Sequence, residues 1–369
     1  MYKVGITGQK GFIGSHLYNY LCLKADIALI DFEKSMFDNP EELISFVKQC
    51  DVIVHLAAMN RHEDANVIYD TNVNLVDKLV AACTSAKVAP NIIFSSSTQE
   101  SNENLYGKSK KVGRELLESW SDKSGGKTTG LVIPNVFGPF GKPYYNSVVA
   151  TFCHQLTHDE TPVINSDGTL KLIYINELIS EIYQVIVNKT FGRIEVKHTK
   201  EIKVSEILEI LQSFKSLYLE SAVFPDLTHD FEKALFNTFR CFIPTSYYPR
   251  AFKNNIDQRG NFVEIARTNS TGQFSFSTTV SGITRGNHFH TRKAERFAVI
   301  KGQALIQLRK IGTQEVINYY LDGENPSYVD MPIWYTHNIK NIGQTELVTL
   351  FWINEPYDDK DPDTYFVNV

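Results

Sequence analysis

The chain has 369 residues, enough for two or three domains. Apolar residues make up 43% and charged residues 21%, which excludes a disordered composition. Lys plus Arg count 37 against 42 Asp plus Glu, a net charge of -5 that gives no reason to expect nucleic acid or an anionic membrane as partner.

In chain order, residues 2–7 form a short apolar strand that runs straight from the first residue, with no signal-peptide cleavage site expected. Residues 8–14 are a glycine-rich turn, and 12–24 read as a helix. A second short strand follows at 27–31. Asn39-Pro40-Glu41-Glu42 is a helix start: a capping side chain, Pro in the first turn, then acids at the positive end of the helix dipole. Residues 52–58 predict a buried strand and 72–85 an amphipathic helix with Leu75, Val76, Leu79, Val80 and Cys83 on one face. A strand at 92–95, a helix at 110–120 and a strand at 130–134 continue the alternation, which predicts a doubly wound parallel α/β sheet of Rossmann type. From about Gly260 the pattern changes to short alternating runs at 274–280, 295–300, 303–309, 315–321 and 347–353. That is the mark of an all-β sandwich or barrel. The expected domains are 1–243 and 244–369. Nowhere does an apolar run approach the ~18 residues of a membrane span. Five scattered cysteines without a Cys-x-x-Cys pair predict reduced thiols in a cytoplasmic protein.

Thr7-Gly8-Gln9-Lys10-Gly11-Phe12-Ile13-Gly14 lies between the first strand and first helix. One Gly allows the tight turn, the next lets backbone approach a pyrophosphate, and the last lets helix pack on sheet; the helix N-terminus then offers N–H groups to the phosphates. Asp31, at the end of the second strand, is placed to bond an adenosine ribose hydroxyl, whereas Lys34 could meet a 2′-phosphate, so these residues leave NAD and NADP both open. Tyr106 and Lys110 are four apart and share a helix face. The ammonium is expected to lower the Tyr106 pKa, so that the phenol can exchange a proton with a sugar oxygen. Ser95, Ser96, Ser97 and Thr98 follow a strand at the carboxyl edge, where a hydroxyl can bond the same oxygen.

These pieces resemble the extended short-chain dehydrogenase/reductase family over roughly residues 1–243. Further matches are Asp51 to Ala58 at the third nucleotide-binding strand, Thr71-Asn72-Val73, Pro134-Asn135-Val136-Phe137-Gly138-Pro139, and Leu172 to Leu178, which looks like a later strand of the sugar-nucleotide domain. The resemblance implies Tyr106, Lys110 and Ser97 as catalytic residues, with Ser96 or Thr98 as alternatives to Ser97. It implies cofactor contacts at Gly8, Lys10, Gly11, Phe12, Ile13, Gly14, Asp31, Lys34, Leu56, Ala57, Ala58 and Lys110. Substrate contacts are implied at Asn135 and at Lys171, where the family often has Arg. The family's usual Asp after Tyr174 is replaced by Asn176-Glu177.

In the β-rich part, His288 and His290 are two apart and point the same way on a strand; a neighbouring strand can add Glu295 and a later one His337. Three imidazoles and a carboxylate suit Zn, Fe, Ni or Mn. The spacing resembles the cupin double-stranded β-helix, with Trp334 where a Gly is usual. The segments 257–264 and 285–288 resemble epimerases of 4-keto-6-deoxy sugar nucleotides. In those enzymes the His corresponding to His288 is a base without metal, so His288 has two competing roles here. Arg259 and Glu264 are expected to hold the nucleotide sugar. A reductase domain fused to an epimerase-like cupin resembles the CapF-type enzymes of bacterial capsular polysaccharide synthesis. That implies NADPH and a UDP-sugar substrate; Zn2+ is the first choice for the four donors, and a homodimer is expected. The readings kept beside it are an epimerase or dehydratase with tightly bound, recycling NADP, and a reductase whose cupin is a metal-stabilised dimerisation module.

Overall fold

The computed structural model describes residues 1–252, 255–257, 260–262, 266–268, 272–355 and 358–369. Its strands are β1 (Tyr2–Thr7), β2 (Ile27–Ile30), β3 (Val52–His55), β4 (Asn91–Ser97), β5 (Lys127–Ile133), β6 (Asn135–Phe137), β7 (Thr169–Tyr174), β8 (Gly192–Glu195), β9 (Lys200–Lys203), β10 (Val223–Phe224), β11 (Arg250–Ala251), β12 (Asn255–Asp257), β13 (Gly260–Phe262), β14 (Arg267–Thr268), β15 (Gln273–Thr279), β16 (Thr284–Phe289), β17 (Glu295–Lys301), β18 (Gln303–Lys310), β19 (Val316–Asp322), β20 (Ser327–Met331), β21 (Tyr335–Asn341), β22 (Leu347–Ile353) and β23 (Tyr365–Phe366). The α-helices are α1 (Phe12–Leu21), α2 (Pro40–Gln49), α3 (Ala65–Ala86), α4 (Leu105–Ser124), α5 (Val148–Thr157), α6 (Ile175–Asn188), α7 (Val204–Phe214) and α8 (Asp230–Arg240).

The first compact unit comprises residues 1–148 and 168–203. Its main sheet has the order β2-β1-β3-β4-β5-β8, with parallel pairing throughout. This is the doubly wound, Rossmann-like arrangement expected from the alternating sequence. Reversal of strand order on either side of β1 opens a crevice at the carboxyl ends of β1 and β3. Asn39 caps α2 by accepting from the Glu41 and Glu42 amides, as its sequence start predicts. One face of α2 buries Leu43, Phe46 and Val47 in a core that α3 completes with Val76, Leu79 and Cys83. A small sheet, β6-β7-β9, stands apart.

Segment 172–178 differs from its reading as a strand. The strand ends at Tyr174 and α6 begins at Ile175. Glu177 reaches back to the Tyr174 amide at 3.1 Å, a capping contact that β-branched neighbours hide in a propensity reading. Helix α3 also starts earlier than residue 72, at Ala65, capped by the Asp64 side chain.

The second unit comprises residues 149–167 and 204–369, so packing does not follow one linear cut; the boundary expected near Ile243 falls inside this unit. Two five-stranded sheets, β11-β20-β17-β22-β15 and β19-β18-β21-β16-β23, form a cupin-like β-sandwich. Val299, Val329, Met331 and Leu347 from one sheet meet Ala304, Ile306, Leu308, Leu321 and Ile339 from the other. On the outer face of the first sheet Arg296 and Asp330 lie directly across from one another and are almost fully buried. The guanidinium donates to both carboxylate oxygens at 2.7 and 3.0 Å, and the Tyr218 and Tyr248 hydroxyls donate to the same carboxylate. Tyr328 lies under the guanidinium at 3.8 Å. No described helix is long and apolar enough to cross a membrane.

Candidate functional sites

The glycine turn of the first unit is built as its sequence requires. Gly8 has φ +77, and a Cβ there would meet the Ala57 backbone at 2.8 Å. A Cβ on Gly14 would lie 2.1 Å from the Gly8 carbonyl, so helix and turn can close only on glycine. Gly11 caps α1 without a side-chain bond, which leaves the first helical amides, those of Phe12 and Ile13, available to an anion. Leu56, Ala57 and Ala58 leave β3 beside this turn, tied by Leu56 N to Thr7 O at 3.1 Å and Ala57 N to Thr7 Oγ1 at 3.4 Å. Asp31 lies one residue beyond β2 and is exposed, as is Lys34. Lys10 forms an exposed ion pair with Glu33 at 2.8 Å, a residue that sequence reasoning passed over.

At the carboxyl end of β4 the structure separates the three candidate hydroxyls. Ser96 donates to Glu100, whose carboxylate is also held by Arg114. Ser97 accepts from the Gln99 amide at 3.2 Å, and its side chain meets the Tyr106 phenol. Ser97 is therefore the member of the run that meets Tyr106. Gly107 is required here because a Cβ would lie 2.0 Å from the Gln99 carbonyl. That close approach brings the start of α4 onto the strand end.

Lys110 shares the helix face with Tyr106, but its ammonium is buried and donates to the Ser95 carbonyl at 2.9 Å, 5.8 Å from the Tyr106 ring centre. The expected lowering of the Tyr106 pKa is overturned. Burial, helped by Tyr145, pushes the phenol up to about 12 against the opposing Ser97 bond. Burial likewise pushes Lys110 down to about 8 against the pull of Glu100. Behind Lys110, His55 is fully buried and pushed down to about 3 by burial and by the Lys110 charge; its Nδ1 lies 2.7 Å from the Thr7 hydroxyl. Asn72 joins this frame through a two-way bond to the Met59 backbone at 2.7 and 3.0 Å and a third bond to Ser109 at 3.1 Å. Asn135 and Lys171 are exposed on the adjacent strands β6 and β7, where Asn135 pairs with Leu172.

In the second unit four side chains converge. One donor atom each from His288, His290, Glu295 and His337 lies within 4.8 Å of every other. Their strand origins differ from the expected neighbouring strands: β16 and β21 belong to one sheet, whereas β17, which carries Glu295, belongs to the opposing one. The cluster therefore bridges the sandwich. A bulge between Gly286 and His288 sets His288 opposite His337. Gly286 at φ +96 and Asn287 at φ +60 are residue types that accept that geometry.

His290 Nε2 and His337 Nε2 lie 3.0 and 3.2 Å from one Glu295 oxygen. Burial disfavours charge on Glu295, yet the two rings hold its carboxyl well below the usual range. Burial also disfavours a charged His290, but Glu295 and the Asp363 carbonyl raise it above the ordinary value. His288 is pushed down to about 4 by burial and by His337 and His290, so its imidazole is neutral near pH 7. His337 Nε2 is buried without a well-formed hydrogen bond, while its Nδ1 lies 3.3 Å from the Tyr335 carbonyl. A buried, unsatisfied imidazole nitrogen aimed at a carboxylate and two further imidazoles fits a divalent cation. Arg259 and Glu264 lie outside the described residues.

Comparison with known proteins adds the following. The profile of the NAD dependent epimerase/dehydratase family matches residues 4–196, and that of the polysaccharide biosynthesis C-terminal domain matches residues 255–365. The chain is 33% identical to UDP-2-acetamido-2,6-beta-L-arabino-hexul-4-ose reductase of Pseudomonas aeruginosa, over 100% of this chain and 99% of that one. The crystal structure of the capsular polysaccharide assembling protein CapF from Staphylococcus aureus is 34% identical, with a TM-score of 0.63 over 100% of both chains. A CapF structure with the inhibitor 3-isopropenyl-tropolone is 33% identical, with a TM-score of 0.60, again over 100% of both chains. The chain therefore belongs to the NAD-dependent epimerase/dehydratase family and, over its whole length, to the group that CapF represents.

Proposed function

We propose that this is a bifunctional nucleotide-sugar enzyme of capsular polysaccharide synthesis. In this reading the second unit inverts carbon 3 of a UDP-linked 2-acetamido-2,6-dideoxy-4-ketohexose. The first reduces the 4-keto group with NADPH to UDP-N-acetyl-6-deoxy-L-talosamine, a precursor of N-acetyl-L-fucosamine. The observation that carries it is the Ser97–Tyr106 hydroxyl contact above the buried Lys110, in a chain that aligns end to end with a UDP-hexul-4-ose reductase.

Gly8, Gly11, Gly14 and the amides of Phe12 and Ile13 would hold the cofactor pyrophosphate, Leu56, Ala57 and Ala58 would line its path, and Asp31 would meet a ribose hydroxyl. Lys34 could instead meet a 2′-phosphate, and the likeness to CapF-type enzymes tips the cofactor to NADPH. The bound nicotinamide supplies the hydride. Tyr106, kept protonated by burial, is suited to give its proton to the oxygen at carbon 4, because an alkoxide is a far stronger base than a phenolate. Ser97, by turning its hydroxyl from the phenol to the ketone, orients that oxygen, and Lys110 would hold the ribose. Asn135 and Lys171 would meet the sugar nucleotide in the first unit, whereas Arg259 and Glu264 are expected to hold it separately, at the barrel mouth of the second.

His288, His290, Glu295 and His337 would hold one divalent cation, zinc first, since three imidazoles and a carboxylate match its usual donors. Bound there, the cation supplies positive charge for an enolate that develops when carbon 3, alpha to the ketone, loses its proton. The neutral His288 imidazole is the least buried of the four donors and so the best placed to approach substrate. The four protein donors could instead close a tetrahedron, which favours a second reading in which the ion is structural and the cupin a dimerisation module. Five free cysteines, three of them buried, suit the reducing cytoplasm, and a homodimer is the assembly we expect.

The test is NADPH oxidation against a panel of UDP- and dTDP-linked 4-keto-6-deoxy sugars. Net oxidation with a UDP-2-acetamido substrate supports reduction. Turnover without net oxidation points to a recycling epimerase or dehydratase and overturns the proposal.

A further inference from the structure

The cation site has a second layer that no ligand spacing reveals. His290 donates from Nδ1 to the backbone carbonyl of Asp363, which turns its Nε2 towards Glu295. Asp363 is itself nearly fully buried and takes φ 41, a left-handed conformation uncommon for a residue with a side chain. What holds it there is its own carboxylate. One oxygen accepts from Thr291 N at 3.1 Å and Thr291 Oγ1 at 2.6 Å; the other accepts from Arg292 N at 3.0 Å and Lys293 N at 3.1 Å. Three successive amides thus converge on one anion, an arrangement that backbone nests use to bind negative charge. Those amides belong to the loop between His290, one residue past β16, and Glu295, the first residue of β17 on the opposing sheet.

The segment around Asp363 is fastened on both sides. Before it, Lys293 donates to the Pro362 carbonyl at 2.7 Å, and Arg292 pairs with Asp361 at 2.8 Å. After it, β23 pairs with His288 and Phe289 of β16, Tyr365 stacks on Phe289 at 5.3 Å, and Val367 N donates to the Asn287 carbonyl at 2.9 Å. One short segment therefore supports His288 and His290 and fixes the loop that leads to Glu295.

We infer that segment 358–369 is the outer support of the cation site and that Asp363 is a positioning residue. Its carbonyl fixes the tautomer and ring direction of His290, and its carboxylate fixes the loop joining His290 to Glu295. The inference rests on the reading of the four-residue cluster as a metal site. Outer partners of metal-bound imidazoles are worth roughly 10–100-fold in metal affinity.

The test uses the full chain, stripped of metal and reloaded with zinc. Zinc affinity is read by competition with a chromophoric chelator, and thermal unfolding is recorded with and without zinc. In Asp363→Ala the affinity should fall by roughly 10–100-fold. The rise in Tm that zinc gives should shrink accordingly, because a bound ligand stabilises in proportion to the logarithm of its occupancy ratio. Asp363→Asn, which keeps an acceptor but not the full anion, should lie between. If Asp363→Ala does not fold, Asp363→Asn and Thr291→Val are read in the same competition and should each weaken zinc. Affinity within twofold of wild type in the folded variants overturns the inference. So does an equal loss of Tm with and without zinc, since that marks a purely structural residue. A wild-type chain that takes up no divalent ion overturns the metal-site reading itself, and this inference falls with it.

Discussion

Burial decides the chemistry of individual residues more than sequence neighbours do. Tyr106 and Lys110 stand four apart, but each is pushed away from its charged form by its surroundings. In the proposed reaction this suits Tyr106 to act as the acid. Tyr106→Phe should lower NADPH oxidation by about 10²- to 10⁴-fold, the usual worth of a general acid; a steady-state assay that finds less than a tenfold loss removes Tyr106 from the proton transfer. His55 gives a pH prediction. Its folded pKa, about 3, lies below the unfolded value of 6.5, so the unfolded chain binds the extra proton between those limits. Stability from His55 is therefore complete above pH 6.5 and is lost as pH falls towards 3, at up to about 1.4 kcal/mol per pH unit. Unfolding of the wild type and of His55→Asn, followed from pH 4 to 7, should show a shallower acid loss in the variant. Parallel curves would mean that His55 does not carry the effect.

Among elements, the bulge in β16 matters most for the second site. Gly286 and Asn287 absorb one extra residue, and this sets His288 opposite His337. A Cβ on Gly286 would come 2.9 Å from the His337 carbonyl, at a φ that L residues avoid. Gly286→Ala should cost roughly 1–2 kcal/mol in backbone strain. It should also lower the zinc content of the purified protein measured by elemental analysis. Full zinc content with an unshifted Tm would show that the bulge does not set the donors. The first site has its counterpart in Gly107, whose missing Cβ lets α4 meet the end of β4 and lets Ser97 reach Tyr106.

For the molecule as a whole, each of the two compact units has its own core and its own candidate site. If the chemistry divides accordingly, Tyr106→Phe should keep deuterium wash-in at carbon 3 while losing reduction, and His290→Ala should do the reverse. NMR of the recovered sugar nucleotide reads both, and loss of wash-in from folded Tyr106→Phe would end the division of labour. The second unit also depends on the buried Arg296–Asp330 pair, which joins its outer sheet face to Tyr218 and Tyr248. Asp330→Leu leaves the guanidinium buried without its anion and should cost about 3–5 kcal/mol. Calorimetry should show an earlier transition for this unit, and replacing Arg296 with Met in the same chain should recover part of the loss. An unchanged transition would make the pair energetically idle.

Local order is what the sequence determined. The glycine turn, the Asn39 cap, the four-residue step from Tyr106 to Lys110 and the change to period-two alternation are short-range patterns, set by backbone sterics and by which faces must be buried. The two architectures were legible for that reason, and the four donors could be picked out by their spacing along the chain. Tertiary structure decided what depends on partners far along the chain. Ser97 differs from Ser96 only because Glu100, itself held by Arg114, claims the latter. Segment 172–178 contains strand-favouring residues, yet α6 begins within it once Glu177 caps Tyr174. Glu295 reaches the cluster from the opposite sheet, and Asp363 supports His290 across 73 residues. Such contacts leave no periodic trace, because hydrogen bonds and desolvation act on distance in space and not on separation along the chain.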